Sequence, residues 1–290
     1  MKKTCIVLCI SLLGILVAPP NVLGATKRFR AVQTWKSSYA EGWAQDRINQ
    51  KVIKLDGNTV AGSGMGSGIT VYVIDTGVGS TDCFGHGTVV ASIIAGDKYG
   101  VASGADIVSV KALDCSGTGT EQAVANAVYW VRDHANPNTS VVNMSLGGPV
   151  SSIVDSAVSQ LSAIMPVVVA AGNSSGDACK MSPARVVQAI TIAAYDQYNM
   201  RSIFSNYGQC VDFWVPGTAV DGIDMSGNRV QWSGTSMAAA LASGAIAYVA
   251  DRDKSTTLQA VATIREQSSR PYLVDARLNG VAAYAVWIRN

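Results

Sequence analysis

The 290 residues carry 22 Lys and Arg against 20 Asp and Glu, a formal net charge of +2, and only 14% of them are charged. Such a balance argues against nucleic acid or an anionic membrane as the main partner. The length suits one α/β domain with a large core.

Residues 1–24 read as a secretory signal peptide. Lys2 and Lys3 give the basic start, Ile6 to Val17 the apolar run, and Val22-Leu23-Gly24 small or apolar cleavage positions. The run is too short to span a bilayer comfortably. Cleavage after Gly24 is expected to release a secreted, extracellular chain with no membrane attachment. Cys5 and Cys9 leave with this segment. Cys83, Cys115, Cys179 and Cys210 remain, and an even number in an exported chain suggests two disulfides, with three pairings open.

Residues 25–34 form a short N-terminal arm. Its basic cluster Lys27-Arg28-Phe29-Arg30 reads as solvated, with a second processing site as the alternative. The whole stretch 25–60 is polar, weakly patterned and expected to wrap the surface. The glycine-rich run from Ala61 to Gly68 precedes a strand instead of following one, so it is a loop and not a dinucleotide fingerprint.

Ile69 to Ile74 is a strand ending at Asp75, and Gly85-His86-Gly87-Thr88 opens a helix reaching about Ala95. Ala105 to Leu113 is a strand. Thr120 to Asp133 is a helix, with Val124, Val128 and Val131 on one face. Strands at Val141–Ser145 and Val167–Ala171 flank a helix at Ser152–Ile164. Further strands follow at Ala189–Ala194 and Val211–Val215, and two helices close the chain, Ser236–Ala250 and Thr256–Gln267. The strands are continuously apolar and alternate with helices. Both features predict an α/β fold in three layers, a mainly parallel central sheet with helices on both faces. Sites in such sheets gather beyond the carboxyl ends of strands, where Asp75, Ser145 to Gly148 and Asn173 fall.

Three of these residues suit acyl transfer. Ser236 opens an apolar helix, where backbone N–H groups lack intrahelical partners and favour negative charge. A serine hydroxyl needs a base, an imidazole serves near neutral pH, and a buried carboxylate orients that imidazole. The chain has two histidines. His134 ends a predicted helix, which leaves His86 as the base and Asp75 as its orienter.

The order Asp75, His86, Ser236 with its flanks resembles the subtilisin-like serine proteases, and within them the proteinase K and aqualysin branch. The segments carrying the resemblance are Val73-Ile74-Asp75-Thr76-Gly77, Gly85-His86-Gly87-Thr88, Ser145-Leu146-Gly147-Gly148, Ala170-Ala171-Gly172-Asn173, Phe204-Ser205-Asn206-Tyr207-Gly208 and Gly234-Thr235-Ser236-Met237-Ala238. It extends over roughly residues 35–290, the expected peptidase domain, and leaves 25–34 as a short N-terminal arm or a remnant propeptide.

The resemblance implies a secreted serine endopeptidase acting through an acyl-enzyme, broad in specificity with an apolar or aromatic preference. Asn173 and the Ser236 N–H would hold the oxyanion. Ser145, Leu146 and Gly147 would pair with substrate backbone on one side, Gly117 and Gly119 on the other. Ala170, Ala171 and Gly172 would wall the primary pocket. It also implies disulfides Cys83–Cys115 and Cys179–Cys210. Catalysis would need no cofactor, while a structural Ca²⁺ would sit on Asp212 and the carbonyls of Val187 and Ala189. Expected partners are polypeptide substrates and proteinaceous protease inhibitors, and the expected state is a monomer.

The chain departs from that family in two places. Only ten residues separate Asp75 from His86, far fewer than is usual in the family. Ten residues still reach roughly 33 Å, more than a triad requires. About ten residues lie between Gly24 and Trp35, in place of a folded propeptide. An inactive subtilase-fold protein that binds peptides or inhibitors, or an incomplete gene product, is therefore the alternative. An unrelated α/β hydrolase would carry a Gly-x-Ser-x-Gly elbow, which this serine lacks.

Overall fold

The computed structural model describes residues 27–31, 39–50, 54–268 and 285–288. The expected signal peptide lies outside them. Chain order begins β1 (Arg28–Ala31), α1 (Trp43–Arg47), β2 (Thr70–Asp75), α2 (His86–Ala95), β3 (Asp106–Lys111) and β4 (Thr118–Thr120). It continues with α3 (Glu121–His134), β5 (Ser140–Met144), β6 (Leu146–Pro149), α4 (Ser152–Ser162), β7 (Val167–Ala170) and β8 (Met181–Ser182). The last elements are β9 (Ile190–Tyr195), β10 (Phe213–Pro216), β11 (Val220–Ile223), β12 (Arg229–Trp232), α5 (Thr235–Arg252) and α6 (Thr257–Gln267).

Six strands form one parallel sheet in the order β10-β9-β7-β5-β2-β3. Their continuous apolarity has a simple cause, since successive side chains point to opposite faces and each face has its own core. Val71, Val73, Val141, Val168 and Ala170 join one core with Val89, Val90, Ile93 and Ile94 of α2 and the apolar residues of α5. Tyr72, Ile74, Val142, Met144, Val167 and Val169 join the other with Val124, Val128 and Val131 of α3 and Val154, Val158 and Leu161 of α4. The result is the three-layer α/β architecture expected from the pattern. Helix α5 is buried along nearly its whole length, as a helix apolar on all sides must be.

The N-terminal region departs from expectation. Phe29, Trp43, Ala44, Gln45 and Ile48 are fully or almost fully buried, so these residues pack into the fold and are not merely laid over its surface. Trp43 Nε1 donates to the carbonyls of Thr218 and Ala219 at 3.1 Å each, which seats α1 against β11. The short strands β4, β6, β8, β11 and β12 have too few residues to register as periodic signals.

Candidate active site

Asp75 ends β2 and His86 begins α2, and both are fully buried. His86 Nδ1 lies 2.7 Å from Asp75 Oδ1. The Thr76 N–H donates to the same oxygen at 2.7 Å. The first turn of α2 comes close to the end of β2: a Cβ on Gly87 would lie 2.0 Å from the Gly77 carbonyl oxygen and 3.2 Å from Asp75 Cβ. Glycine is thus a steric requirement beside His86. His86 Nε2 is buried and has no hydrogen-bond partner among the described residues. The Trp232 ring stands 6.0 Å from the imidazole, centroid to centroid.

Ser236 is the second residue of α5 and is fully buried. Its hydroxyl donates to the Ser145 carbonyl at 2.9 Å, and the Ser145 hydroxyl returns a bond to the Ser236 carbonyl at 3.0 Å. Asn143 Nδ2 donates to the Ser145 hydroxyl at 2.9 Å, and Asn143 Oδ1 accepts from Ser243 at 3.0 Å. The start of α5 is therefore keyed to the end of β5. The hydroxyl rests on this carbonyl and not on His86 Nε2.

The loop after β7 brings in Asn173. Its Oδ1 accepts from the Thr235 N–H at 2.9 Å and the Thr235 hydroxyl at 2.8 Å. That fixes the orientation of the amide, with its NH₂ on the opposite side. Asn206 shapes the rest of the loop. Its Nδ2 donates to the Ala171 carbonyl at 2.8 Å, and its Oδ1 accepts from Ser174 N (3.0 Å), Ser174 Oγ (3.0 Å) and Gly176 N (2.9 Å). Gly172 has φ +101°, and a Cβ there would lie 2.5 Å from Asn206 Nδ2. Sequence reasoning singled out the string around Asn206 without giving that residue a task. It placed Thr235 only in the turn that opens the Ser236 helix, and it passed over Trp232.

Strand β1 runs antiparallel between β4 and β6. These are the strands that carry Gly117, Gly119, Leu146 and Gly147 or adjoin them. Ala31 N donates to the Gly117 carbonyl at 2.9 Å. Phe29 lies opposite Gly119, Arg30 opposite Gly147 and Ala31 opposite Leu146. Phe29 is fully buried in the apolar cluster of Leu113, Val124 and Leu146, against Gly148. Arg28 and Arg30 face solvent. The arm thus completes a sheet with the two cleft strands.

Cys83–Cys115 and Cys179–Cys210 are disulfides, with Cα separations of 5.0 and 5.4 Å. Asp212 Oδ2 accepts from Thr191 N at 3.0 Å and Oδ1 from Arg265 Nη2 at 3.1 Å. A cavity of about 290 Å³ beside it is lined by Val186, Val187, Gln209, Cys210 and Asp212. A guanidinium already compensates the carboxylate, both of whose oxygens are engaged. A calcium ion, which needs several oxygen donors, would compete with the Arg265 guanidinium for the Asp212 carboxylate.

A parallel sheet with a buried Asp–His couple and a buried serine in the first turn of a helix suits a serine-hydrolase scaffold. The model described as the subtilase family matches residues 79–281, a span that begins just after Asp75, and the chain belongs to that family. An alkaline serine exoprotease A from Vibrio alginolyticus is 39% identical over 81% of this chain and 48% of its own length. An extracellular serine proteinase from Thermus sp. (strain Rt41A) is 39% identical over 71% of this chain and 56% of its own. The chain spans about half the length of these curated relatives. The crystal structure of a cold adapted subtilisin-like serine proteinase superposes with a TM-score of 0.80 at 37% identity, covering 85% of this chain and 98% of that one. Among the described residues no helix is long and apolar enough to cross a membrane.

Proposed function

We propose that the protein is a secreted serine endopeptidase of the proteinase K and aqualysin branch. The observation that carries the reading is the couple itself: a buried imidazole with Nδ1 on a carboxylate at 2.7 Å and Nε2 without a partner. An unsatisfied buried ring nitrogen is costly in a purely structural histidine. It is what a general base requires before its substrate arrives.

Ser236 Oγ turns from the Ser145 carbonyl toward Nε2 and attacks the scissile carbonyl while His86 takes its proton. Asp75 keeps the Nδ1–H tautomer and stabilises the imidazolium. The Asn173 amide and the Ser236 N–H receive the oxyanion. His86 then protonates the leaving amine, and water hydrolyses the acyl-enzyme by the same route.

Substrate enters as a strand between β4 and β6, in the place that β1 takes here. The pairing of β1 supports this reading and gives residues 25–34 a second one, a pro-segment that must leave the cleft. The pocket around Phe29 supports an apolar or aromatic preference. Proteinaceous inhibitors would use the same edges, and the protein is read as a monomer.

The test is reaction with a phosphonofluoridate and hydrolysis of peptide p-nitroanilides by disulfide-intact protein. Wild type should be labelled on Ser236 and turn over, and Ser236→Ala should do neither. Peptide binding without labelling would favour the second reading, an inactive binding protein, which the Ser236–Ser145 hydrogen bond supports.

A further inference from the structure

Ten residues join Asp75 to His86, and one side chain among them accepts five hydrogen bonds. Asp82 is 8% exposed. Its Oδ1 accepts from the Thr76 hydroxyl (2.9 Å), Phe84 N (3.0 Å) and Gly85 N (2.8 Å). Its Oδ2 accepts from Thr88 N (2.9 Å) and the Thr88 hydroxyl (2.7 Å). These partners bracket the couple, because Thr76 follows Asp75 while Gly85 and Thr88 flank His86.

Thr76 closes the circuit. Its N–H donates to Asp75 Oδ1 at 2.7 Å, and its hydroxyl, besides donating to Asp82, accepts from Gly87 N at 2.9 Å. A carboxylate that only capped α2 would need the N–H groups of Gly85 and Thr88 and nothing from the end of β2. The outer side of the link is held separately, by the Cys83–Cys115 disulfide and by Thr81 Oγ1 3.2 Å from Ser109 Oγ on β3.

We propose that Asp82 is a positioning residue for the Asp75–His86 couple. Through Thr76 and the first turn of α2 it sets the distance and angle between carboxylate and imidazole. The proposal rests on reading that couple as catalytic. All five of its partners donate, so only an acceptor on both oxygens fits. An amide would turn two N–H donors toward one set of them.

The experiment compares Asp82→Asn and Thr76→Val in the full chain, singly and together. Values of kcat and KM are expressed per phosphonofluoridate-titrated site. The downfield proton resonance of His86 Nδ1–H is followed in the same variants on a Ser236→Ala background. Misplacing the couple by a fraction of an ångström should lower kcat by about 10–100-fold, with KM within about twofold. The resonance should shift or broaden. The double variant should lose less than the product of the single losses, since both cut one circuit.

Values of kcat within about twofold of wild type with an unchanged resonance overturn the proposal. So does a loss that appears only in KM or in the number of titrated sites. Should Asp82→Asn fail to fold, Thr76→Val decides by the same outcomes. Absence of labelling in wild type defeats the protease reading alone, because the resonance still reports whether Asp82 sets the couple.

Discussion

The two edges of the central sheet each carry a buried or half-buried carboxylate, and the two are held in opposite ways. Beside β2 and β3, Asp82 receives five short hydrogen bonds and no cation. Beside β9 and β10, Asp212 receives one backbone N–H and one guanidinium, that of Arg265, which also lies 5.0 Å over the Phe213 ring. Burial pushes the Asp82 carboxyl up, but the bonds from Gly85, Thr88 and Phe84 outweigh it and hold the group below the ordinary carboxylate range. Burial also dominates at Asp212, and there the bonds from Thr191 and Arg265 leave the group raised. The lesson is that several fixed donors keep a carboxylate ionised better than one cation on a long, half-exposed stem. Backbone N–H groups are already placed by the loop, whereas Arg265 loses rotamer freedom to reach its partner.

The sharpest break is Asp82→Ala. It strands five donors, some of which water can reach, and should cost about 2–4 kcal/mol at neutral pH in urea unfolding. Because the folded value is lowered, the contribution of Asp82 is present above the unfolded carboxylate pKa of about 3.9 and lost as pH falls through the folded value. The gap between wild type and variant should therefore close in acid. A gap that stays constant down to that range would mean packing, not charge, holds the link.

Asp212→Asn should behave differently. A raised folded value means the contribution of Asp212 is fully present below the unfolded carboxylate pKa of about 3.9 and lost as pH rises from there through the folded value. At neutral pH the substitution should fall within about 1 kcal/mol of wild type and lean toward stabilisation. A loss as large as that of Asp82→Ala would erase the contrast.

The smallest effect is expected at Arg265, whose side chain is 51% exposed. Arg265→Gln should cost under about 1 kcal/mol. The thermal midpoint of wild type should not respond to calcium or chelator, and the variant should become responsive as Asp212 loses its resident cation. A wild-type midpoint that drops with chelator would support the calcium site that the family resemblance implies.

Much of the fold was legible because burial on two faces leaves strong local traces. Val71 to Ile74 and Val167 to Ala170 are unbroken apolar runs, and Val141 to Met144 is interrupted only by Asn143; such runs between helical periods have few other folds to enter. The histidine could be picked because the chain has only two, and Asp75 and Ser236 because they fall at a strand end and a helix start within family-like flanks. The Asn206 staple was visible only as an unexplained string, and no pattern in the sequence connects Asp82 to Thr76 or Thr88. Their partners lie on segments that sequence periodicity does not connect.

The sequence by itself determined the layered sheet, the helix that presents Ser236 and the identity of the chemical groups, since these follow from side-chain period and from what a reaction requires. Tertiary structure decided where the polar hydrogens go. It rested the Ser236 hydroxyl on Ser145, gave Asp212 to Arg265, and laid Arg28–Ala31 into the sheet between β4 and β6. Hydrogen bonds act over about 3 Å between groups far apart in the chain, so only the closed fold chooses among partners that composition leaves equivalent.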